Sequence, residues 1–286
     1  MPNPKISICI PTYNGASYLQ EALDSVNAQT FKDFEVIVSD DASKDVTLNI
    51  VEKFRSKSDF AVHVFHHEPN GIGANWNNAI RHANGKYIKF LFQDDVLAPS
   101  CLEKMYAILE NNKKVGLVAS KREFIVNKDK SVETDKWLST YGDLQHHFSE
   151  STSDLVLTKK LFSRKDFLST PKNKIGEPSI VMFRKSIVNE LGFFDESLKQ
   201  ILDYEYWYRI LKKYDIYVIN ESLVKFRLHD LQATSVNSKT KIMDYELYPY
   251  LLYKHYFRLL HPKLQKQFFF EYNTLGKLIK KFKHAI

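Results

Sequence analysis

Cysteine is nearly missing from this 286-residue chain, with only Cys9 and Cys101 present. Two thiols build no disulfide framework, which speaks against a small stapled secreted domain and for a reducing compartment. Cys9 lies inside an apolar run and reads as a small buried hydrophobe. No uncharged apolar run approaches the roughly 18 residues needed to cross a bilayer. Nor does a charged segment with an apolar stretch behind it precede the first strand, so no secretory signal is expected. Internal repeats and low-complexity linkers are absent. A glycine-rich, basic phosphate loop is also missing near the start. Ile10-Pro-Thr-Tyr-Asn14 is neither, which counts against a nucleotidyltransferase. The net charge of +7 comes with no nucleic-acid recognition motif, so no nucleic acid is expected as a partner. A cytoplasmic protein, or one peripheral on the inner face of the plasma membrane, is the remaining expectation.

A hydrophobic content of 44% suits one sizeable core, or one core with an appendage. Strand signals over 5–10, 34–38, 61–65, 87–92 and 115–120 alternate with helix signals over 16–29, 46–57, 74–83 and 100–111. This alternation predicts an α/β fold with a mostly parallel central sheet flanked by helices. The rhythm breaks near residue 121. Residues 121–155 are polar and read as loop-rich, and 159–168 as helical. Further on, strands are expected at 180–183, 216–219 and 223–227. Helices are expected at 186–191, 203–214, 240–260 and 263–284.

Three of the early strands end in polar or acidic groups. The first runs into Pro11-Thr-Tyr-Asn14, the second into Ser39-Asp-Asp-Ala-Ser43 and the third into Gln93-Asp-Asp95. Ligands of open α/β sheets bind at the carboxyl ends of strands. Paired acids at two such ends are what a site for a nucleotide and a metal needs. Proline stops the first strand for want of an N–H, and Tyr13 can stack on a base or pack beside it. The Asn70-Gly-Ile-Gly-Ala-Asn-Trp-Asn77 loop permits close backbone approach. An N-cap role competes for Asp40 and Asp41, but Ser43 and Asp45 are better placed to cap the 46–57 helix. The same alternative exists for Asp203, which opens a helix whose dipole favours its ionised form. His63, His66, His67, His146 and His147 form no zinc pattern, and His66-His67 reads as ordinary surface.

Ile10-Pro-Thr-Tyr-Asn14, Asp40-Asp-Ala-Ser43 and Gln93-Asp-Asp95 resemble the signature loops of family-2 glycosyltransferases with the GT-A, Rossmann-like fold. Gly176-Glu-Pro-Ser179, Asp203-Tyr-Glu-Tyr-Trp-Tyr-Arg209 and Arg227-Leu-His229 extend the likeness, which covers roughly residues 5–235. The resemblance implies a catalytic domain over 1–235, its nucleotide-sugar half ending near 120, and a helical C-terminal extension over 236–286. It implies transfer from a UDP- or dTDP-sugar to a glycan or lipid-linked acceptor, with inversion, in surface polysaccharide or lipooligosaccharide synthesis. The expected cofactor is Mn²⁺ or Mg²⁺. Asp95 and His229 would bind the metal, with the diphosphate as the other candidate partner of His229. Asp94 and Gln93 would meet sugar or ribose hydroxyls, and Gln93 departs from the usual acid. Asp41 would take the N–H of uracil or another base, with Pro11, Thr12, Tyr13, Asn75 and Asn77 as further donor contacts. Trp76 stands where many relatives carry arginine, which leaves neutral hydrogen bonds to this loop. Asp203 would be the base, with Glu205 as its competitor, and Glu177 and Tyr204 would touch the acceptor. Gln93 and Trp76 keep open a protein that binds a nucleotide sugar without turning it over.

From Pro262 to the C-terminus there are six lysines and one acid, Glu271. Leu275, Leu278, Ile279 and Phe282 follow helical spacing beside these lysines. Such a stripe fits a helix over 265–286 that lies on an anionic membrane, or one that packs on the domain.

Overall fold

The computed structural model describes residues 3–126, 132–146, 153–229, 232 and 242–283. The N-terminal half is the expected βα alternation. β1 (Ile6–Thr12) pairs in parallel with β2 (Phe34–Asp40) and with β4 (Tyr87–Phe90), and β3 (Val62–His66) adds in parallel outside β2. Every residue of β1, β2 and β4 is buried. Helices cover both faces of such strands, which is why they read as near-continuous apolar runs. The covering helices are α1 (Leu19–Asn27), α2 (Thr47–Arg55), α3 (Ile72–His82) and α4 (Cys101–Asn111).

The full strand order is β3-β2-β1-β4-β8-β6-β9-β5, with β7 (Leu155–Leu157) on β9. β8 (Val181–Arg184) runs antiparallel to both β4 and β6 and joins the parallel half to the rest of the sheet. β5 (Val96–Leu97) lies antiparallel on β9. β6 (Val115–Ile125) and β9 (Asp215–Arg227) form a long parallel pair with register shifts at Ser120, Lys121 and Arg122. Bulges let the pairing continue where the alternation is lost. Residues 121–125 therefore belong to a strand rather than a loop, and 216–227 is one strand rather than two.

Three further elements differ from the pattern-based reading. α5 (Val132–Tyr141) occupies part of the stretch read as loop-rich, and Lys159–Ser163 is a short 3-10 turn rather than a helix over 159–168. The expected tail helix is two helices, α9 (Pro262–Tyr272) and α10 (Thr274–Lys283). Asn273 makes the break, because its Oδ1 accepts from Leu275 N at 3.0 Å and Gly276 N at 3.3 Å. A Cβ on Gly276 would lie 2.2 Å from the Phe269 carbonyl oxygen, so only glycine lets the two helices meet this closely. Residues 1–2, 127–131, 147–152, 230–231, 233–241 and 284–286 of the stretches read above, His147 among them, lie outside the described residues.

α6 (Ser186–Leu191) and α7 (Leu202–Leu211) follow β8, and α8 (Asp244–Tyr256) begins the C-terminal helices. α7 is buried almost all round, with Leu202, Tyr204, Tyr206, Trp207, Tyr208, Ile210 and Leu211 in the core. The extension packs directly on it. Tyr248 of α8 meets Tyr204 edge-on at 5.2 Å, and Tyr248, Leu252, Tyr256, Leu264 and Phe268 are buried in the same core. Asp244, itself buried, accepts the backbone N–H groups of Lys199, Gln200 and Ile201 at 2.8, 2.7 and 3.2 Å. Those three residues lead straight into α7. Removing this carboxylate strands three donors in a desolvated junction. Asp244→Ala is expected to lower the unfolding free energy by roughly 3 kcal/mol in a urea titration. An unchanged midpoint would show that the junction is held by packing alone.

Candidate active site

The first three strand ends are bolted together by side chains. Thr12 Oγ1 donates to Asp40 Oδ1 at 2.7 Å, and Asp41 N donates to the Thr12 carbonyl at 2.9 Å. Asp40 is fully buried and closes its own turn by accepting from Ser43 N at 2.9 Å and Ser43 Oγ at 2.6 Å. Asn14 and Ala42 take the left-handed backbone conformation, with φ of 46° and 56°. For Asn14 the strain is offset locally, because its side chain accepts from Lys44 N at 2.8 Å and its own N–H donates to Ser43 Oγ at 2.9 Å. Asp45 accepts from Thr47 N at 3.0 Å at the start of α2, which leaves Asp41 free of capping duty.

Gln93 joins the first loop to the third. Its Oε1 accepts from Tyr13 N at 2.9 Å and its Nε2 donates to the Tyr13 carbonyl at 3.1 Å. Only an amide both gives and takes in this way; a carboxylate at this position could not donate. The departure from the usual acid therefore has a mechanical reason, and Gln93 spends its polar atoms on the backbone rather than on a hydroxyl. A Cβ on Gly15 would lie 2.2 Å from Gln93 Oε1, so the glycine is part of the same latch.

These ends enclose a cavity of about 320 Å³, within the usual size for a small-molecule site. Pro11, Thr12, Tyr13, Asp41, Asn75, Gln93, Asp94 and His229 all line it, as does Trp76. Tyr13 is half exposed at the rim, with 53% of its surface open. Asn75 reaches the Thr12 carbonyl with Nδ2 at 3.4 Å, while its Oδ1 has no hydrogen-bond partner. Trp76 packs among Phe90, Phe92 and Phe194 and gives this wall of the cavity an apolar surface. Asn77 does not face the cavity. Its amide donates to the Phe194 carbonyl at 3.0 Å and Glu196 Oε1 at 2.8 Å, and accepts from Phe194 N at 3.0 Å. It is a buried clamp on the chain before α7 rather than a ligand contact. His67, read as surface, stands instead 2.6 Å from Asp41 Oδ1 through Nδ1. Burial pushes the Asp41 carboxyl above the usual carboxylate range, and the His67 contact opposes the rise. That role had one sequence signal, the position of His67 just past the end of β3.

At the far end of the cavity His229 Nε2 lies 2.9 Å from Asp94 Oδ2. Asp95 is enclosed behind them, with Oδ1 accepting from Arg227 N at 3.1 Å and Oδ2 without a partner. Burial, then the neighbouring Asp94, raise the Asp95 carboxyl well above its ordinary value. Arg227 also donates through Nε to the Asp94 carbonyl at 3.0 Å, so the end of β9 grips the whole 94–95 corner. The acid that reaches the cavity is thus Asp94, and Asp95, expected as the metal ligand, supports it from below. Among the described residues no three His, Cys, Asp or Glu side chains converge on one point as a finished metal cluster. A hard divalent cation keeps water and phosphate oxygens and needs only one or two carboxylates. Asp94, His229 and the unpartnered Asp95 Oδ2 fit that demand.

A second polar group surrounds Asp203, at the start of α7. Asn173 Nδ2 donates to Asp203 Oδ2 at 2.9 Å and to the Gly176 carbonyl at 3.1 Å, while Oδ1 of Asp203 has no partner. Burial pushes the Asp203 carboxyl up to about 7, and the nearby Glu177 adds to the rise. The helix-start expectation of a stabilised ionised form is thus outweighed by desolvation. Glu177 pairs with Arg122 Nε at 3.3 Å. Glu205 points elsewhere, bonded to Arg209 at 3.0 Å, which removes it as a competing base. Tyr204 lies in the field of Asp203 but is covered. It is a core aromatic, 5% exposed, with its hydroxyl buried and unpaired. Sequence reasoning missed Asn173 and Arg122, and a single asparagine or arginine in a polar stretch carries no local signal.

The architecture is that of the GT-A fold. S. aureus TarS, residues 1–349, superposes with a TM-score of 0.60 at 25% identity, over 78% of this chain and 60% of that one. TarS in complex with UDP-GlcNAc gives a TM-score of 0.65 at 21% identity, over 93% and 72%. The mannosyltransferase PcManGT of Pyrobaculum calidifontis, in complex with GDP-Man and Mn²⁺, gives 0.54 at 19%, over 80% and 57%. An uncharacterised glycosyltransferase of Rickettsia typhi is 32% identical over 246 residues, 85% of this chain and 70% of its own. One of Methanocaldococcus jannaschii is 29% identical over 271 residues, 94% and 83%. The family profile described as glycosyl transferase family 2 matches residues 7–192, from β1 through α6 and across the cavity-forming loops. The chain belongs to glycosyltransferase family 2.

Proposed function

We propose that this enzyme moves a sugar from a UDP- or dTDP-linked donor to a hydroxyl of a glycan or lipid-linked acceptor, with inversion. The product belongs to a surface polysaccharide or lipooligosaccharide. One observation carries the reading: at the start of α7, in the field of the same Glu177 that acts on Asp95, stands a carboxyl, Asp203, with Oδ2 fixed by Asn173 and a pKa lifted to about 7. A base of that strength is matched to neutral pH. Asp203 takes the acceptor proton as the hydroxyl oxygen attacks the anomeric carbon. The bond to the diphosphate breaks with its electron pair on the leaving oxygen, and no covalent enzyme intermediate forms.

Asp41, oriented by His67, accepts the ring N–H of uracil or thymine, and Tyr13 covers the base. TarS complexes with UDP and UDP-GlcNAc support a uridine donor. Asp94 and His229, with Asp95 behind, would hold Mn²⁺ or Mg²⁺. When bound, such a cation supplies charge to offset that of the departing diphosphate.

The extension supports a site of action at a membrane surface. On α10, Leu275, Leu278 and Phe282 are 60%, 48% and 71% exposed, and Lys277, Lys280 and Lys281 are exposed around them. The helix holds no acid, so its stripe and charge match an anionic bilayer. Among the described residues no helix is long and apolar enough to cross a membrane.

Three outcomes test these readings. The base works ionised, so kcat/KM for donor hydrolysis or transfer falls about tenfold per pH unit below 7. Asn173→Ala removes a bond to the ionised form and moves this limb to higher pH. Asp203→Asn loses roughly 10²–10⁴-fold in turnover with UDP affinity retained. The sign for stability is opposite. The folded pKa lies above the unfolded one, so ionisation opposes folding as pH rises through 7. Asp203→Asn should therefore melt higher than the parent at pH 8. Parental turnover in that variant would put the base elsewhere. For the latch, Gln93→Glu weakens UDP binding roughly tenfold by calorimetry, since Tyr13 loses its donor and meets a charge. Unaltered affinity would show that the loop is positioned without Gln93. For the membrane, the parent sediments with phosphatidylglycerol vesicles at low salt and the Leu278→Glu/Phe282→Glu pair stays in solution. Equal sedimentation of both would remove α10 from that role.

A further inference from the structure

We infer that the C-terminal extension completes the acceptor side of the site, with Tyr245, Tyr141 and Trp137 forming an aromatic platform for a sugar ring beside Asp203. The inference rests on the reading of Asp203 as the base. Its starting point is the Asp244 carboxylate, which holds the N–H groups of residues 199–201 just before Asp203. The next residue, Tyr245, is 48% exposed beside this buried anchor. Its ring lies under the Lys172 ammonium at 5.5 Å. Asn173, the residue after Lys172, donates to Asp203 Oδ2 at 2.9 Å, which ties this ring to the start of α7.

The opposite wall is α5. Arg122 Nη2 donates to the Tyr141 carbonyl at 2.7 Å, and the same guanidinium pairs with Glu177 at 3.3 Å. Trp137 packs on Tyr141 at 5.2 Å and lies parallel to Phe226 at 6.4 Å with 9° between the planes. Phe226 precedes Arg227, which grips the Asp94–Asp95 corner, so the platform is continuous with the donor cavity through β9. Trp137 and Tyr141 are both partly exposed.

Half-exposed rings ringed by Asp203, Glu177 and Lys172 suit one ligand class. The apolar C–H face of a sugar settles on an aromatic face, while its hydroxyls need charged and polar partners at the edge. Tyr204 was the aromatic expected here. The core has claimed it, and Tyr245 comes to the same place from the next structural layer.

The test uses the full-length protein saturated with UDP and a panel of methyl hexosides, read by saturation-transfer NMR. At least one glycoside should give a transfer signal with the parent and with Asp203→Asn. Tyr245→Ala and Trp137→Ala should cut that signal at least fivefold, while Tyr245→Phe keeps most of it. UDP titration of each variant, within twofold of the parent, shows that the fold and donor cavity survive. Signals undiminished in both alanine variants would overturn the inference, as would a parent that binds no glycoside. The base assignment fails separately, by parental turnover in Asp203→Asn.

Discussion

A carboxylate taken out of water must find N–H donors or it takes up a proton, and the way each acid here meets that demand decides its work. Asp40 is fully buried and satisfied by Thr12 and Ser43, and it holds a turn. Asp244 is satisfied by three backbone donors and holds two layers together. Asp95 is bonded by the Arg227 N–H and the Ser179 hydroxyl, yet its burial and the neighbouring Asp94 drive its carboxyl upward. Asp203 has one side-chain donor and one orphaned oxygen, and settles near 7. The fully satisfied acids are structural, and the ones whose burial outweighs their donors are those proposed for chemistry. A buried carboxyl with a raised pKa is destabilising, so two of them in the field of one Glu177 are an argument for function in their own right.

The strand-end cavity shows the same economy of parts. Pro11–Tyr13, Asp41 and Gln93 lie far apart in sequence, and the parallel pairing of β1 with β2 and β4 brings them side by side. Register does the coarse placement and side-chain bonds do the fine one. The two-point amide of Gln93 fixes the peptide of Tyr13, and Gly15 leaves room for it. A residue that looks like a weakened metal ligand in a linear motif is a strut in three dimensions.

Much of this was legible without coordinates. Alternation along the first 120 residues predicts the parallel half, because strands covered on both faces must be apolar throughout. The strand-end loops and Asp203 follow from the same logic and from the family likeness. Legibility stops where partners are distant in sequence and chemically ordinary. Asn77 looks like a ligand contact because it stands in a glycine-bearing loop, yet its amide is claimed by Phe194 and Glu196, more than a hundred residues on. His67 looks like surface because nothing nearby in sequence pairs with it, while Asp41 does so across the sheet. The unity of β6 with residues 121–125 was hidden because a bulge destroys the period-2 pattern from which strands are read.

Aromatic residues on α7 show why the acceptor side resists prediction most. Tyr204, Tyr206, Trp207 and Tyr208 follow one another around a helix, so they point in nearly all directions, and every one is buried. A helix apolar on all sides needs cover on all sides. The sheet supplies one face of that cover and α8 another, through Tyr248 against Tyr204. The extension is therefore required by the composition of α7. Once α8 is seated there, the residue beside its anchoring aspartate has to emerge near the start of α7, where Asp203 is. The demand for a covered core thus carries Tyr245 to the edge of the proposed acceptor site, and packing and specificity share one contact.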